Sequence, residues 1–386
     1  MRACHPGVHA PAAGGRGLRE TMERDMTYRS RERVARVLAH KEADRVPLDT
    51  NGFMCGQVRT LLADMALGRE MQDYYAEGDF KYLEFGLKPD RAALMPYLPD
   101  LPAGARVSAW GVGSLPLQSA DGYSAGNRLF HPLADVNTLE ELERFPFPDV
   151  TAPECHQHLP ETVRAAKREE FTVVGQMSQT TLETAYEMRG MDKLFVDFHE
   201  RPDYVKALFG KIAERRRFQA RCFAEAGIDV LRIGDDIATQ RALLVSPETY
   251  RKWIKPFHAD AVAAARKVNP RIDVLYHSDG ALTALLPDLL DVGVTAINPV
   301  QPEAMSPVQI KQAFGSRLTL WGCCGSQSVY AFGSEREVLE NVRMLMRSVA
   351  PGGGFVLQFY NMLLTDRVMD NLRCFFQAFW ELAQYR

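Results

Sequence analysis

Short apolar runs separated by helical stretches recur along this chain, and that alternation constrains its fold more than any single motif does. The runs are Val46–Asp49, Arg91–Met95, Thr172–Met177, Val230–Gly234, Asp273–His277, Thr295–Asn298, Leu318–Gly322 and Gly354–Phe359. Their length suits buried strands, since a buried helix needs a longer run. Ser246 followed by Pro247 reads as an N-cap with proline in the first turn, predicting a helix over Pro247–Val268. Leu282, Leu285, Leu286, Leu289 and Leu290 make one apolar helical face. Buried strands alternating with helices form a parallel sheet, and eight such units favour a closed (β/α)8 TIM barrel over an open doubly wound sheet. No Gly-x-Gly-x-x-Gly pattern follows a strand, which weakens a dinucleotide-binding reading.

Two stretches depart from the repeat. An N-terminal helical extension over Tyr28–His40 places Val34, Val37 and Leu38 at helical spacing. Between the second and third runs lies an insertion, with a small hairpin expected over Val107–Gly113 and a proline-rich segment over Phe145–Pro153, read as a cap on the barrel mouth. Residues 1–25 are rich in Ala, Gly, Pro and Arg without apolar period and read as a disordered extension, leaving 26–386 as one barrel domain. At 386 residues, with 46% hydrophobic and 25% charged, the chain can bury one large core. A net charge of -3 and the lack of a basic block give no reason to expect nucleic acid or a membrane surface. Seven scattered cysteines read as reduced thiols of a cytoplasmic protein.

In such barrels the residues just past the strand ends face the active site. Here Gly234 is followed by Asp235, Asp236 and Gln240, and Tyr276 by His277, Ser278 and Asp279. Asn298-Pro299 leads to Gln301, Gly322 to Cys323 and Cys324, and Leu357 to Gln358, Tyr360 and Asn361. Asn51 and Gln176 complete the expected pocket lining. Each residue also has a plainer reading. Asp235 or Asp236 can cap a helix, and a single strand-end histidine is more often structural. Free cysteines are most often small buried hydrophobes, and two adjacent ones point in different directions. Concentration after successive strands is what shifts the balance toward a site. His277 and Asp279, at i and i+2 on extended backbone, point the same way and are candidate metal ligands, with Cys323 or Cys324 as a third.

The run His277-Ser278-Asp279-Gly280, then Gly293-Val294 to Asn298-Pro299-Val300-Gln301, then Lys311 to Phe314-Gly315, resembles the C-terminal half of the uroporphyrinogen decarboxylase superfamily. So does Ala350-Pro351-Gly352-Gly353-Gly354-Phe355 with Asn371 beyond it. Arg33-Val34 to Asp44-Arg45-Val46-Pro47, Asp235-Asp236 to Ser246-Pro247, and Lys255-Pro256 resemble its methyltransferase-like branch. The stretch after Pro47 lacks the arginine-rich motif of true uroporphyrinogen decarboxylases, so porphyrinogen decarboxylation is not expected.

The resemblance implies a methyltransferase moving a methyl group between a corrinoid carrier protein and a small acceptor. No corrinoid-binding signature occurs in the chain, so the corrinoid is expected on that partner. Members of known mechanism hold zinc through a His-x-Cys pair and a distant Cys, and the zinc activates an acceptor thiol. His277 matches that histidine, Asp279 stands at the first cysteine and Asn361 at the second. Losing two thiolates leaves two options open. Either zinc is held differently, with Cys323 or Cys324, or His277, Asp235, Asp236 and Asp279 act as acid and base on an acceptor such as tetrahydrofolate. A decarboxylase or lyase of a smaller acid, and a barrel that only binds, remain as rivals. The sequence permits a homo-oligomer and sets no state.

Overall fold

The computed structural model describes residues 28–50, 78–118, 124–360, 365 and 367–385. In chain order the strands are β1 (Leu48–Asp49), β2 (Phe80–Glu84), β3 (Arg106–Val107), β4 (Gly113–Gln118), β5 (Ser124–Phe130) and β6 (Thr172–Ser178). They continue with β7 (Val230–Gly234), β8 (Asp273–His277), β9 (Ala296–Val300), β10 (Thr319–Cys323) and β11 (Phe355–Gln358). Eight of them pair in parallel in the order β1-β11-β10-β9-β8-β7-β6-β2. The Asp79 N–H donates to the Leu48 carbonyl across the remaining seam, so the ring is nearly closed. This is the expected (β/α)8 barrel.

The second barrel strand is not where the sequence placed it. Arg91–Leu94 is a short helix, because Asp90 accepts the Ala93 N–H as its N-cap and the run Arg-Ala-Ala-Leu favours helix. The strand is Phe80–Glu84, whose Lys81 and Glu84 break up the apolar signal. The helix expected over Pro247–Val268 is also divided, into Pro247–Trp253 and Lys255–Val268. Pro256 explains the break, since it has no N–H to donate back into the preceding turn. Ser246 caps the first piece by accepting the Thr249 N–H, as expected.

The insertion carries β3, β4 and β5 as a three-stranded antiparallel sheet, so the expected hairpin gains a third strand. It fastens to the helix Leu182–Arg189, which leaves the carboxyl end of β6. Arg189 donates to the carbonyls of Leu133, Ala134 and Val136. At the opposite end of the barrel the helix Ser30–Leu38 lays Val34 and Val37 against the first inward layer of the strands, Phe80, Val174, Val230, Leu275, Ala296, Trp321 and Val356. Buried ion pairs fix this plug. Asp79 is paired with both Arg33 and Arg45 at 2.8 Å, and Arg33 also reaches Asp44 at 2.7 Å. Among the described residues, no helix is long and apolar enough to cross a membrane.

Candidate active site at the carboxyl end of the barrel

Side chains alternate along a strand, so the residue two positions beyond each floor residue faces the lumen one layer higher. Phe80 is followed in this way by Tyr82, Val174 by Gln176, Val230 by Arg232, Leu275 by His277, Ala296 by Asn298 and Val356 by Gln358. An apolar floor thus carries a polar layer, joined by Asp49 from β1. Only β10 breaks the rule. Gly322 (φ +108°) and Cys323 (φ +66°) leave the extended conformation, and the register between β9 and β10 shifts there.

The polar layer has a fixed hydrogen-bond direction. Asp49 Oδ2 accepts from the Tyr82 hydroxyl at 2.7 Å, Trp321 Nε1 at 2.9 Å and Gln358 Nε2 at 2.7 Å. With its amide N–H spent on Asp49, Gln358 presents Oε1 to Asn298 Nδ2 at 2.6 Å. Asn298 then has only Oδ1 for His277 Nδ1, at 2.9 Å. His277 must donate from Nδ1, which leaves the lone pair on Nε2. Burial and the positive charge of Arg232 hold its pKa well below the usual histidine value, so the ring is neutral. The Tyr360 ring lies 4.5 Å from it, centroid to centroid.

Nε2 is 3.9 Å from Asp236 Oδ1, which also accepts the Asp279 N–H at 3.0 Å. Burial pushes the Asp236 carboxyl up, with Asp235 adding to it. Asp236 in turn donates its N–H to Glu183 Oε2 at 3.0 Å. Glu183 and Glu187, one turn apart on the helix Leu182–Arg189, are bridged by Gln179 Nε2 at 3.0 Å to each. Burial, then the charges of Asp236 and Asp235, push Glu183 up to about 8. Burial pushes Glu187 up to about 7. A neutral imidazole therefore adjoins a carboxyl raised by burial, and behind it lie Glu183 and Glu187, which suits general acid–base chemistry.

Of the residues expected from sequence, the structure brings His277, Asp236, Asp279, Gln301, Gln358 and Gln176 to this end of the barrel. Gln301 holds the Gly280 N–H at 2.7 Å and donates to Asp279 at 3.3 Å. Asp235 is fully buried and has a different task. It accepts the N–H groups of Thr181, Leu182 and Glu183 and bonds His258 Nε2 at 2.7 Å, so it caps the helix Leu182–Arg189. Burial alone would raise its carboxyl, but the His258 contact and the N–H groups hold it below the usual range. Gln240 is exposed on the rim and bonds Gln327. Asn51 and Asn361 lie outside the described residues.

The expected metal set does not assemble. Among the described residues, no three His, Cys, Asp or Glu groups are placed to hold one ion. Cys323 and Cys324 belong to the core cluster between strands and helices, with Lys311 the charge acting on Cys323 and Tyr330 beside Cys324. Burial pushes both thiols up, the opposite of what a thiolate ligand needs. The turn at Gly322 is the physical reason. It ends the alternation that would have carried Cys323 into the layer of His277.

Asp49, Tyr82, Arg232, Asn298, Glu183 and Glu187 were not foreseen. The first four sit within strands rather than after them, and their signal was the step of two from an inward apolar residue. Glu183 and Glu187 lie four apart on a helix, a spacing shared by any solvated helical face, so it carries no signal of a site.

A ring of parallel strands with a polar layer at its carboxyl end defines the class, a (β/α)8 barrel of the enzyme type. The sequence profile of the uroporphyrinogen decarboxylase (URO-D) family matches residues 123–382, and the chain belongs to that family. Among solved structures, a methyltransferase from Methanosarcina mazei aligns with TM-score 0.57 and 16% identity, over 92% of this chain and 99% of its own. At that identity the likeness speaks for fold alone. The GH53 catalytic domain of Ignisphaera aggregans (TM-score 0.31, 14% identity, 54% of this chain and 67% of that one) aligns only in part. Xylanase 10B from Thermotoga maritima does the same (0.33, 12%, 56% and 68%). No curated protein sequence matches.

Proposed function

We propose that the chain is a methyltransferase, moving a methyl group between a corrinoid carried by a separate protein and a small molecule seated above the polar layer. The family, the full-length likeness to a methyltransferase fold and the motifs quoted above support this reading. The observation that carries it is the neutral His277 with its Nε2 lone pair 3.9 Å from Asp236, whose backbone N–H is held by Glu183. Moving a methyl cation onto an O–H, N–H or S–H acceptor releases one proton, and the reverse transfer takes one up. In this reading His277 Nε2 holds that proton at the heteroatom and Asp236, 3.9 Å away, exchanges it. Corrinoid, as the methyl carrier, is a co-substrate from the partner. Among the described residues no three His, Cys, Asp or Glu groups are placed to hold zinc, and no proposed step runs through a metal.

The test is a methyl-transfer assay with methylcobalamin, or reduced cobalamin in the reverse direction, against a panel of acceptors and methylated donors. His277→Ala is expected to lose at least about a hundredfold of the rate. No turnover in either direction, with or without added zinc, would overturn the reading. Zinc bound at one equivalent in the wild type and lost in His277→Ala, measured by plasma mass spectrometry, would replace acid–base activation with metal activation. Release of CO2 from a carboxylic acid without cobalamin would assign the same residues to a decarboxylase.

A further inference from the structure

Arg232 stands in the polar layer on the strand next to His277 and is 5% exposed. Its Nη1 donates to Gln176 Oε1 at 2.9 Å and its Nη2 to the Tyr360 hydroxyl at 3.1 Å, while its Nε–H has no acceptor. Among the described residues, no Asp or Glu lies within ion-pair distance. Asp49 and Asp236 act on it only from farther away. Asp49 already spends Oδ2 on three other donors. A guanidinium keeps its charge when buried, and an unpaired buried charge is costly. Arg216 is also buried without an ion pair, but it lies on the helix Pro202–Ala226, outside the lumen. Its Nε–H also lacks an acceptor, but its Nη donors go to Gln219, Gln179 and Thr184 and it stacks on Trp110. Arg232 instead faces the lumen between the Tyr82 and Tyr360 rings, at 5.9 and 5.5 Å.

We propose that Arg232 is an anion-binding residue of this site, taking the carboxylate of the small molecule that docks beside His277. The proposal rests on the barrel mouth being a small-molecule active site, and it adds the substrate class, a small organic acid. The Tyr82, Tyr360 and His277 rings supply flat walls for its carbon skeleton. The guanidinium has three N–H donors beyond the two it uses, enough for a carboxylate after a small side-chain shift. Binding has a second consequence. The charge of Arg232 is one of the two causes that depress His277. An anion that neutralises it makes Nε2 more basic, so the substrate would prepare its own proton acceptor.

The experiment is calorimetric titration of the full chain with acetate, benzoate and inorganic phosphate, and with benzamide as the uncharged match of benzoate. Benzoate or acetate is expected to bind the wild type and to weaken by more than about tenfold in Arg232→Gln, with Arg232→Lys between the two. Benzamide affinity should hardly differ between wild type and Arg232→Gln. Nitrogen-15 spectra of the wild-type histidines provide a measure that needs no variant, because His277 should titrate at a higher pH once the acid is bound. Failure of all three anions to bind the wild type overturns the proposal. So does equal benzoate affinity in a folded Arg232→Gln, or an unmoved His277 titration. Acid binding through Arg232 without any methyl transfer would keep the anion site and remove the methyltransferase reading. Methyl transfer to uncharged acceptors, unaffected by Arg232→Gln, would do the reverse.

Discussion

The two ends of this barrel bury the same kinds of charged side chain and treat them in opposite ways. At the amino end, Asp79 is enclosed by Arg33, Arg45, the Ser30 hydroxyl and the Leu48 N–H. Each buried charge there has its counter-charge, and the network bolts the helix Ser30–Leu38 under the floor. At the carboxyl end, Arg232 has no carboxylate within ion-pair distance among the described residues, and Glu183 and Glu187 are bridged by a neutral glutamine. Only one layer of apolar side chains separates the two arrangements. Charges satisfied within the protein stabilise a fold, whereas charges left uncompensated keep their capacity for a ligand or a proton.

The contrast is open to attack from both sides, and the largest effect should come from the floor. Asp79→Ala leaves buried Arg45 without this carboxylate and Arg33 with that of Asp44, and is expected to destabilise the protein by about 3–5 kcal/mol, measured by urea unfolding. A loss below about 1 kcal/mol would mean that the floor network is not what holds the plug.

Asp49→Asn sharpens the contrast, because it keeps the shape and changes the polarity. An amide in that place can offer an N–H to Gln358, inverting the direction of the hydrogen bonds through Asn298 to His277. Nitrogen-15 shifts of His277 should then report hydrogen on Nε2, with turnover down at least about tenfold and a stability change of about 1–3 kcal/mol. An unchanged His277 tautomer would detach Asp49 from the site.

The smallest effect is expected at Glu183. Its folded-state pKa of about 8 lies above its ordinary 4.5, so the folded protein holds a proton that the unfolded chain gives up. The resulting stabilisation is complete below about pH 4.5 and is lost as pH rises through about 8. An isolated carboxyl with that gap would gain more, but Asp236, Asp235 and Glu187 titrate with it. Glu183→Gln should therefore gain on the wild type by order 1–2 kcal/mol between pH 5 and pH 8.5, seen in urea midpoints. Part of the slope should survive, because Glu187 has the same sign up to about 7. A midpoint difference that does not vary with pH would show that Glu183 titrates normally.

These residues also mark how far the sequence could be read. His277, Asp236, Asp279 and Gln301 were visible because each follows an apolar run at a place where a parallel barrel opens. Asp49 and Arg232 lie inside such runs, and locating them needs the inward phase of each strand, which composition does not give. Asp235 and Asp236 are neighbours with identical chemistry, and only the path of the chain sends one to a helix terminus and the other to the imidazole. Cys323 was misplaced for the opposite reason, since a two-residue step holds only while the strand stays extended. Arg91–Met95 was apolar enough for a strand, but the capping Asp90 decided for a helix.

The hydrogen bonds that orient His277 also say when in the life of the chain the site can exist. Asp49 receives Trp321 from 272 positions downstream and Gln358 from 309. β1 finds its parallel neighbour only in β11, and Val46 and Tyr385 are tied to Ala383 and Asp44 by backbone hydrogen bonds. On the ribosome, therefore, β1 emerges early and waits, unpaired on that edge, until almost the whole polypeptide has been made. Contacts of such sequence separation form late and slowly. A nascent or truncated chain ending before β11 has the histidine but nothing to choose its tautomer, so the chemistry switches on only with the closure of the ring.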